Sequence, residues 1–270
     1  MASSRIGFLG AGKMASALAL GFLRAGCITS DRLIASATRS ASRAAFSAAT
    51  GARVTESNRE VADFADTVIL AVKPNQVMGV LRELGSSWDP ERHLLISVAG
   101  GITLDRLQTL APGIRVIRVM PNTPSVVGAG ASGYSLGSRT TEGDGELAQE
   151  LLSSVGIALK VAEPLLDAVT GVSGSGPAYA FLIIEAMADG GVASGLPRDI
   201  AQQLAAQTLL GAAQMVLSTG QHPGALKDAV CSPGGTTIEG IHELERGGVR
   251  AALISAVRAS SEKSRKLGQS

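Results

Sequence analysis

Apolar residues in the first part of the chain come in short runs, separated by stretches where they recur at helical spacing. Arg5 to Leu9 is one such run; it ends in Gly10-Ala11-Gly12-Lys13-Met14-Ala15 and is followed by Ala17, Leu18, Leu20, Phe22 and Leu23. The order is strand, glycine turn, helix. Further strands are expected at Arg32 to Ala37, around Arg53 and Val54, and at Thr67 to Val72, His93 to Val98 and Ile114 to Met120. Between them the spacing predicts helices at Ala41 to Ala49, near Glu60, at Pro74 to Leu84 and from Leu104. Gly130 to Leu136 and Gly156 to Val161, flanking a polar helix from Glu142 to Ser154, complete the expected sheet. Such alternation means parallel strands joined by crossover helices.

After about Glu163 the strand pattern stops. Helices are expected at Pro177 to Ala193, Pro197 to Ser218, Thr237 to Arg246 and Val249 to Leu267. In the last, Val249, Leu253, Ala256 and Val257 share one face, and Glu262 and Lys266 form an i, i+4 pair on another. Ala178 to Ile184 is apolar all round, so it needs cover from several sides, and a second subunit is the natural cover. The expected domains are therefore residues 1–163 and 164–270.

Composition narrows the function. With 24 basic and 23 acidic side chains in 270 residues and a net charge of +1, no polyanion partner is indicated, and 3% aromatic content offers no stacking platform for nucleic acid. No apolar run reaches the ~18 residues of a membrane span. Only Met1 to Ser4 precede the first strand, so no targeting segment is expected. Cys27 and Cys231 have no metal-like spacing and read as reduced thiols, which points to the cytoplasm, and no metal is expected.

The strongest chemical motif is Gly10-x-Gly12-x-x-Ala15 between a strand and a helix. Gly10 permits the tight turn, Gly12 lets backbone N–H groups approach a pyrophosphate, and Ala15 lets the helix pack closely on the strand. Lys13 is either a phosphate contact or a solvated lysine. An acid near the end of the second strand would select NAD; this chain has Ser36-Ala37-Thr38-Arg39-Ser40 instead, and hydroxyls with a guanidinium suit a 2′-phosphate. NADPH is favoured, with NADH left open. Arg39 could equally be a solvated residue at a helix start.

Three later loops follow strand ends, where ligands bind in open α/β sheets: Ala71-Val72-Lys73-Pro74, Ser97 to Gly101, and Met120-Pro121-Asn122-Thr123-Pro124. Asn122 offers a carboxamide for the nicotinamide end or serves the turn. Lys73 is read as an orienting rather than an acid residue, its backbone beside the nicotinamide ribose. In the helical part, Thr170 to Tyr179 is a small-residue stretch opening a helix. Ser232-Pro233-Gly234-Gly235-Thr236-Thr237 leads into another, where Thr236 and Glu239 have capping-box spacing. Its free N–H groups, paired glycines and hydroxyls suit a carboxylate; plain helix capping is the alternative.

Over essentially its full length the chain resembles the pyrroline-5-carboxylate reductases. The resemblance is carried by Gly10 to Met14, Ala71 to Pro74, Met120 to Pro124, Thr170 to Tyr179 and above all Asp228 to Thr237. It implies reduction of 1-pyrroline-5-carboxylate to L-proline with NAD(P)H, the last step of proline biosynthesis. The implied architecture is α/β, an N-terminal Rossmann-type, doubly wound, mostly parallel sheet with a C-terminal all-α dimerisation domain, assembled as dimers or larger homo-oligomers. The cofactor set is then Gly10, Gly12, Lys13, Met14, Ser36, Arg39, Asn58, Ala71, Val72, Lys73, Pro74 and Asn122. Ser232, Gly234, Gly235, Thr236 and Thr237 hold the substrate at the dimer interface, with Thr237 and Lys73 orienting it. Some animal members carry a glutamate where this chain has Gly220, so any support from that side chain is missing here.

Two other readings stay open. A β-hydroxyacid dehydrogenase must move the proton of an alcohol, usually with a lysine of the helical domain, and the helix opening at Pro177 carries none. A cyclic imine can arrive already protonated and needs no strong protein acid. A sensor that binds NADPH without turnover would not need a second anion site.

Overall fold

The computed structural model describes residues 4–268. Met1 to Ser3, within the segment where no leader is expected, and Gln269 and Ser270 lie outside the described residues. Eight strands form one sheet: β1 (Ile6–Leu9), β2 (Leu33–Ser36), β3 (Arg53–Thr55), β4 (Thr67–Leu70), β5 (Leu94–Ser97), β6 (Arg115–Met120), β7 (Gly130–Leu136) and β8 (Gly156–Lys160). Their order is β3-β2-β1-β4-β5-β6-β7-β8. The chain builds outward from β1 to β3, then returns to place β4 on the other side of β1. That reversal is the topological switch point, and it opens a crevice at the carboxyl ends of β1 and β4.

The connecting helices are α1 (Lys13–Arg24), α2 (Ser40–Thr50), α3 (Asn58–Phe64), α4 (Pro74–Leu84), α5 (Leu104–Leu110) and α6 (Glu142–Ser153). Because strand side chains alternate, each strand feeds two cores. Phe8 packs with Leu18 and Phe22 of α1, Phe46 of α2 and Leu151 and Leu152 of α6. Leu9 packs on the opposite face with Val61 of α3, Leu81 of α4 and Leu107 of α5. The rings of Phe22 and Phe46 lie 6.2 and 5.7 Å from that of Phe8, so three of the five phenylalanines form one cluster. Elsewhere small residues bring layers together. A Cβ on Gly7 would stand 2.5 Å from Val61 Cγ1, so α3 lies directly on β1.

All neighbouring pairs are parallel except β6–β7, which is antiparallel. The loop from Pro121 to Ala129 explains this. A parallel return needs a crossover of a dozen or more residues, and this loop holds only the short turn Thr123–Val127.

The remaining helices are α7 (Leu166–Val169), α8 (Gly176–Ala193), α9 (Arg198–Thr219), α10 (Pro223–Ala229), α11 (Thr236–Arg246) and α12 (Val249–Gly268). Two compact units result: one runs to Ser175 and resumes at Ala259, and the other is Gly176–Arg258. This division differs from the expected boundary at 163. Leu166 is buried, and a Cβ on Gly133 of β7 would stand 2.9 Å from the Val169 methyls, so α7 belongs with the sheet. The Ser264 hydroxyl donates to Asp167 Oδ1 at 2.6 Å and holds the end of α12 there too. The helical unit has little interior of its own: its buried apolar cluster is Ala188, Ala201 and Ala205, with Ile184 and Val192 against it. Among the described residues no helix is long and apolar enough to cross a membrane.

Candidate functional site

The crevice at the switch point starts with the turn after β1. Gly10 has φ 102°, its N–H donates to Ser36 O at 3.0 Å, and a Cβ there would stand 2.8 Å from Ala71 O. Both the backbone conformation and the approach of the β4 loop demand glycine. Gly12 is different. Its φ and ψ are −88° and −176°, and nothing lies within 4 Å of where its Cβ would be. The protein itself leaves that space open, as a cradle for a bound group would require.

Gly12 is also the N-cap of α1, and no side chain caps it. The first helical bond is Ser16 N–H to Gly12 O, 2.9 Å, so the N–H groups of Lys13, Met14 and Ala15 have no partner among the described residues. Three free donors and the positive end of the helix dipole face the crevice, a fit for a pyrophosphate. Ala15 is fully buried on β1, Lys13 is exposed and Met14 half-buried.

Ser36 ends β2 but is 1% exposed, and its hydroxyl donates to Asn58 Oδ1 at 2.6 Å. Asn58 Nδ2 in turn donates to Glu83 Oε2 at 2.8 Å. The Ser36 side chain thus faces the protein and sets Asn58, which opens α3 half-exposed. Thr38, Arg39 and Ser40 are exposed, and the Arg39 guanidinium has no partner among the described residues. Arg43, which the sequence analysis did not single out, binds this loop from one turn further on: its Nη1 donates to Ala37 O at 2.6 Å and Thr38 O at 3.0 Å, and its Nη2 pairs with Glu56. An arginine in the first turn after the loop, with an acid just past the next strand, was the available signal.

At the end of β4, Ala71 N–H donates to Leu9 O at 2.9 Å and Pro74 occupies the first turn of α4 behind the N-cap Lys73. Ala71 and Val72 are half-buried, while Lys73 and Pro74 are exposed. Asn122, expected at the nicotinamide end, is 7% exposed and has internal partners at both ends of its amide. Nδ2 donates to Ser173 O at 3.0 Å, and Oδ1 accepts from Ala131 N–H at 2.9 Å. Ser173 lies in a π-helical turn, Thr170–Gly174, closed by Ser175 N–H to Thr170 O at 2.8 Å. Gly174 sits so near β6 that a Cβ would meet Met120 Cε at 2.5 Å. The amide therefore clamps the β6 loop to the turn before α8.

In the helical unit, Ser232 to Gly235 form a tight turn closed by Gly235 N–H to Ser232 O at 3.0 Å. Pro233 at its second position and Gly234 with φ 65° at its third match a type II turn. The capping box expected of Thr236 and Glu239 does not form. The N-cap is Gly235 and Thr236 is the first helical residue, because the turn hydrogen bond carries the chain into the helix one residue early. No side chain caps α11, and the hydroxyls of Thr236 and Thr237 have no partner among the described residues. Ser232, Gly234, Thr236 and Thr237 are exposed. Gly220 has φ 64° and ends α9 in the left-handed conformation. Among the described residues no group of three or more His, Cys, Asp or Glu could hold a metal ion.

Comparison with known proteins covers both units. Residues 163–267 match the family described as pyrroline-5-carboxylate reductase dimerisation, and residues 5–101 match the one described as NADP oxidoreductase coenzyme F420-dependent. The chain is 50% identical to the pyrroline-5-carboxylate reductase of Arabidopsis thaliana, across 99% of this chain and 97% of the relative. It is similar to the structure of a pyrroline-5-carboxylate reductase from Coxiella burnetii, with a TM-score of 0.92, 36% identity and 99% of each chain covered. The Plasmodium falciparum pyrroline carboxylate reductase, crystallised with NADP bound, aligns with a TM-score of 0.88 at 33% identity, again over 99% of each chain. Likeness that runs unbroken through the glycine turn, the sheet and the helices of the second unit leaves no part of the fold to another origin, and the chain belongs to the pyrroline-5-carboxylate reductase family.

Proposed function

We infer that the protein reduces 1-pyrroline-5-carboxylate to L-proline with NADPH as hydride donor. The observation that carries this is half-identity to a reductase of that name over nearly the whole chain. The open cradle at Gly12, at the start of uncapped α1, and the hydroxyls of Thr236 and Thr237, unpartnered among the described residues at the start of uncapped α11, support it. When bound, the nicotinamide supplies the hydride that reduces the C=N bond.

The chain's own groups bind and orient. The free N–H groups after Gly12 take the pyrophosphate, with Lys13 beside them on the first turn and Met14 against the dinucleotide. Arg39 takes the 2′-phosphate, and Asn58, held by Ser36, lines the adenosine side. Ala71, Val72, Lys73 and Pro74 present backbone to the nicotinamide ribose, and Asn122 acts by fixing the β6 loop. The N–H groups of Thr236 and Thr237 and both hydroxyls receive the substrate carboxylate, with Ser232, Gly234 and Gly235 shaping that loop at the interface between two chains. The imine nitrogen brings its own proton, so positioning and carboxylate anchoring account for the protein's part. We place the enzyme in the cytoplasm, a reading supported by its two free thiols.

Loss of reduced-nicotinamide absorbance with NADPH and pyrroline-5-carboxylate but not with NADPH and buffer, together with no gain of that absorbance with NADP+ and a 3-hydroxyacid, is the expected assay result. Turnover of the 3-hydroxyacid alone, or cofactor binding with no turnover, would overturn the assignment.

A further inference from the structure

We propose that Arg43 is a positioning residue for cofactor selection: it fixes the loop after β2 so that Arg39 is presented to the 2′-phosphate of NADPH, without touching the phosphate itself. The proposal rests on NADPH being the cofactor. Two guanidiniums flank this loop, and their situations are opposite. Arg39 is exposed with no partner among the described residues, whereas the Arg43 side chain is 16% exposed and engaged at both terminal nitrogens. Its Nη1 lies between two successive carbonyls, Ala37 O at 2.6 Å and Thr38 O at 3.0 Å. That arrangement turns the peptide oxygens inward and leaves Thr38, Arg39 and Ser40 facing out.

The same guanidinium reaches Glu56, just past β3, and Ala37 N–H donates to Thr55 O at 3.2 Å. The loop is therefore tied to the neighbouring strand from both sides. Glu56 is 73% exposed, so its ion pair adds little stability by itself. Its consequence is local charge: Glu56 offsets the charge of Arg43 and leaves Arg39 as the uncompensated cation of the loop. The start of α2 adds direction. Arg39 is the N-cap, no side chain caps the helix, and the first helical bonds run from Ser42 and Arg43 N–H to Arg39 O at 3.1 and 3.2 Å. A phosphate held by Arg39 would thus meet the free N–H groups of the first turn. Only an arginine can span two carbonyls and a carboxylate at once; a lysine ammonium is a point donor on a flexible stem.

The test is direct titration of the full-length protein with NADPH and with NADH, for wild type, Arg39→Ala, Arg43→Ala, Arg43→Lys and the Arg39→Ala/Arg43→Ala double variant. Arg39→Ala is expected to weaken NADPH by about 10- to 100-fold, the loss of a charge-assisted hydrogen bond, with NADH nearly unchanged. Arg43→Ala and Arg43→Lys should each weaken NADPH about 10-fold and spare NADH. The double variant should bind NADPH no worse than Arg39→Ala, because Arg43 acts only through Arg39. Additive losses in the double variant would mean that Arg43 makes its own phosphate contact. Equal weakening of both cofactors with a lower Tm would mean a plain structural brace, and full NADPH preference in Arg43→Lys would mean that charge alone matters; each overturns the proposal. If Arg43→Ala fails to fold, the lysine variant decides. Wild-type protein that does not prefer NADPH would overturn the cofactor reading, and the proposal with it; wild-type preference untouched in both Arg43 variants would overturn the proposal alone.

Discussion

Gly12 and Thr237 stand at helix starts that no side chain caps, and for both the proposed ligand role and a folding role predict different outcomes. At Gly12 the backbone is ordinary and the Cβ position is open, so Gly12→Val should fold with a near-normal Tm. The branched side chain would fill the cradle, and calorimetry should find no cofactor binding; normal affinity would remove the pyrophosphate assignment. Thr237 is exposed, and its hydroxyl serves no cap, so Thr237→Ala should shift stability by no more than about 0.5 kcal/mol. Losing a hydrogen bond to a charged acceptor costs about 1.5–3 kcal/mol, so kcat/KM for pyrroline-5-carboxylate should fall roughly ten- to a hundred-fold with cofactor affinity retained. A variant with a lowered Tm and intact kcat/KM would make Thr237 a folding residue. His93 illustrates a third case, a polar side chain buried among apolar ones. Its Nδ1 accepts from Asp89 N–H at 2.9 Å and its Nε2 donates to Ala62 O at 3.0 Å, which fixes the neutral form, and burial pushes the pKa below its ordinary value. The unfolded chain therefore binds this proton more readily, and the contribution of His93, complete above about pH 6.5, is lost as pH falls from there through the lowered folded value. Thermal melts should show Tm declining over that window, and less steeply in His93→Gln; an identical decline in the variant would assign the effect to other groups. Such positions differ in legibility. The glycine turn was readable because strand, turn and helix are consecutive, whereas the internal partners of Ser36 and Asn122 come from residues 22 and 51 positions away.

Elements were legible where a period of hydrophobic residues is long enough to be seen. The helix expected at Pro74 to Leu84 has those bounds, and so does the strand Gly130–Leu136. The reversal at β7 was available in the length of its loop, a clue that periodicity does not carry. α10 is too short to show a period; its signals are only Pro223 in the first turn and His222, whose ring nitrogen caps Gly224 N–H at 3.0 Å. The π turn at Thr170–Gly174 has no local signature at all, since it is set by the clamp from Asn122 and the contact with Met120. Long-range ties of this kind carry measurable stability. Glu163 Oε1 accepts from Leu104 N–H at 2.6 Å and from Arg118 Nη1 at 2.9 Å, joining the start of α5, β6 and the segment before α7. Arg118 is 8% exposed, so Glu163→Ala would leave a buried cation and an amide N–H unpaired. The expected loss is about 3 kcal/mol, the lower end for a broken buried pair because the glutamate is partly solvated. Glu163→Gln, which keeps an acceptor for both donors, should lose less. Urea melts of the two variants order them, and equal stability to wild type would show that the pair is inert.

At the scale of the whole molecule, the sheet unit encloses large side chains and the helical unit does not. Phe8, Phe22 and Phe46 are fully buried, yet in the helical unit Phe181 is 65% exposed, Leu182 67% and Leu217 74%. An open groove of about 800 Å³ between α8 and α9 is lined by Phe181, Leu182 and Ile184. Fully burying one leucine or phenylalanine is worth about 1.5–3 kcal/mol, and an apolar surface this extensive marks an interaction face. The family match described as dimerisation spans 163–267, the stretch that includes these helices. The whole-molecule consequence is that assembly and stability of the helical unit are one equilibrium, so dilution should lower Tm. A charge placed in the groove, Leu182→Glu, would have to be desolvated on association and should shift sedimentation from dimer or larger species to monomer. If the carboxylate loop proposed at Thr237 is completed by a second chain, activity should fall with assembly, while the Gly12 turn should still bind NADPH. A Leu182→Glu protein that sediments as a fully active monomer would show that one chain suffices, and would return the exposed helices of this unit to the category of unexplained surface.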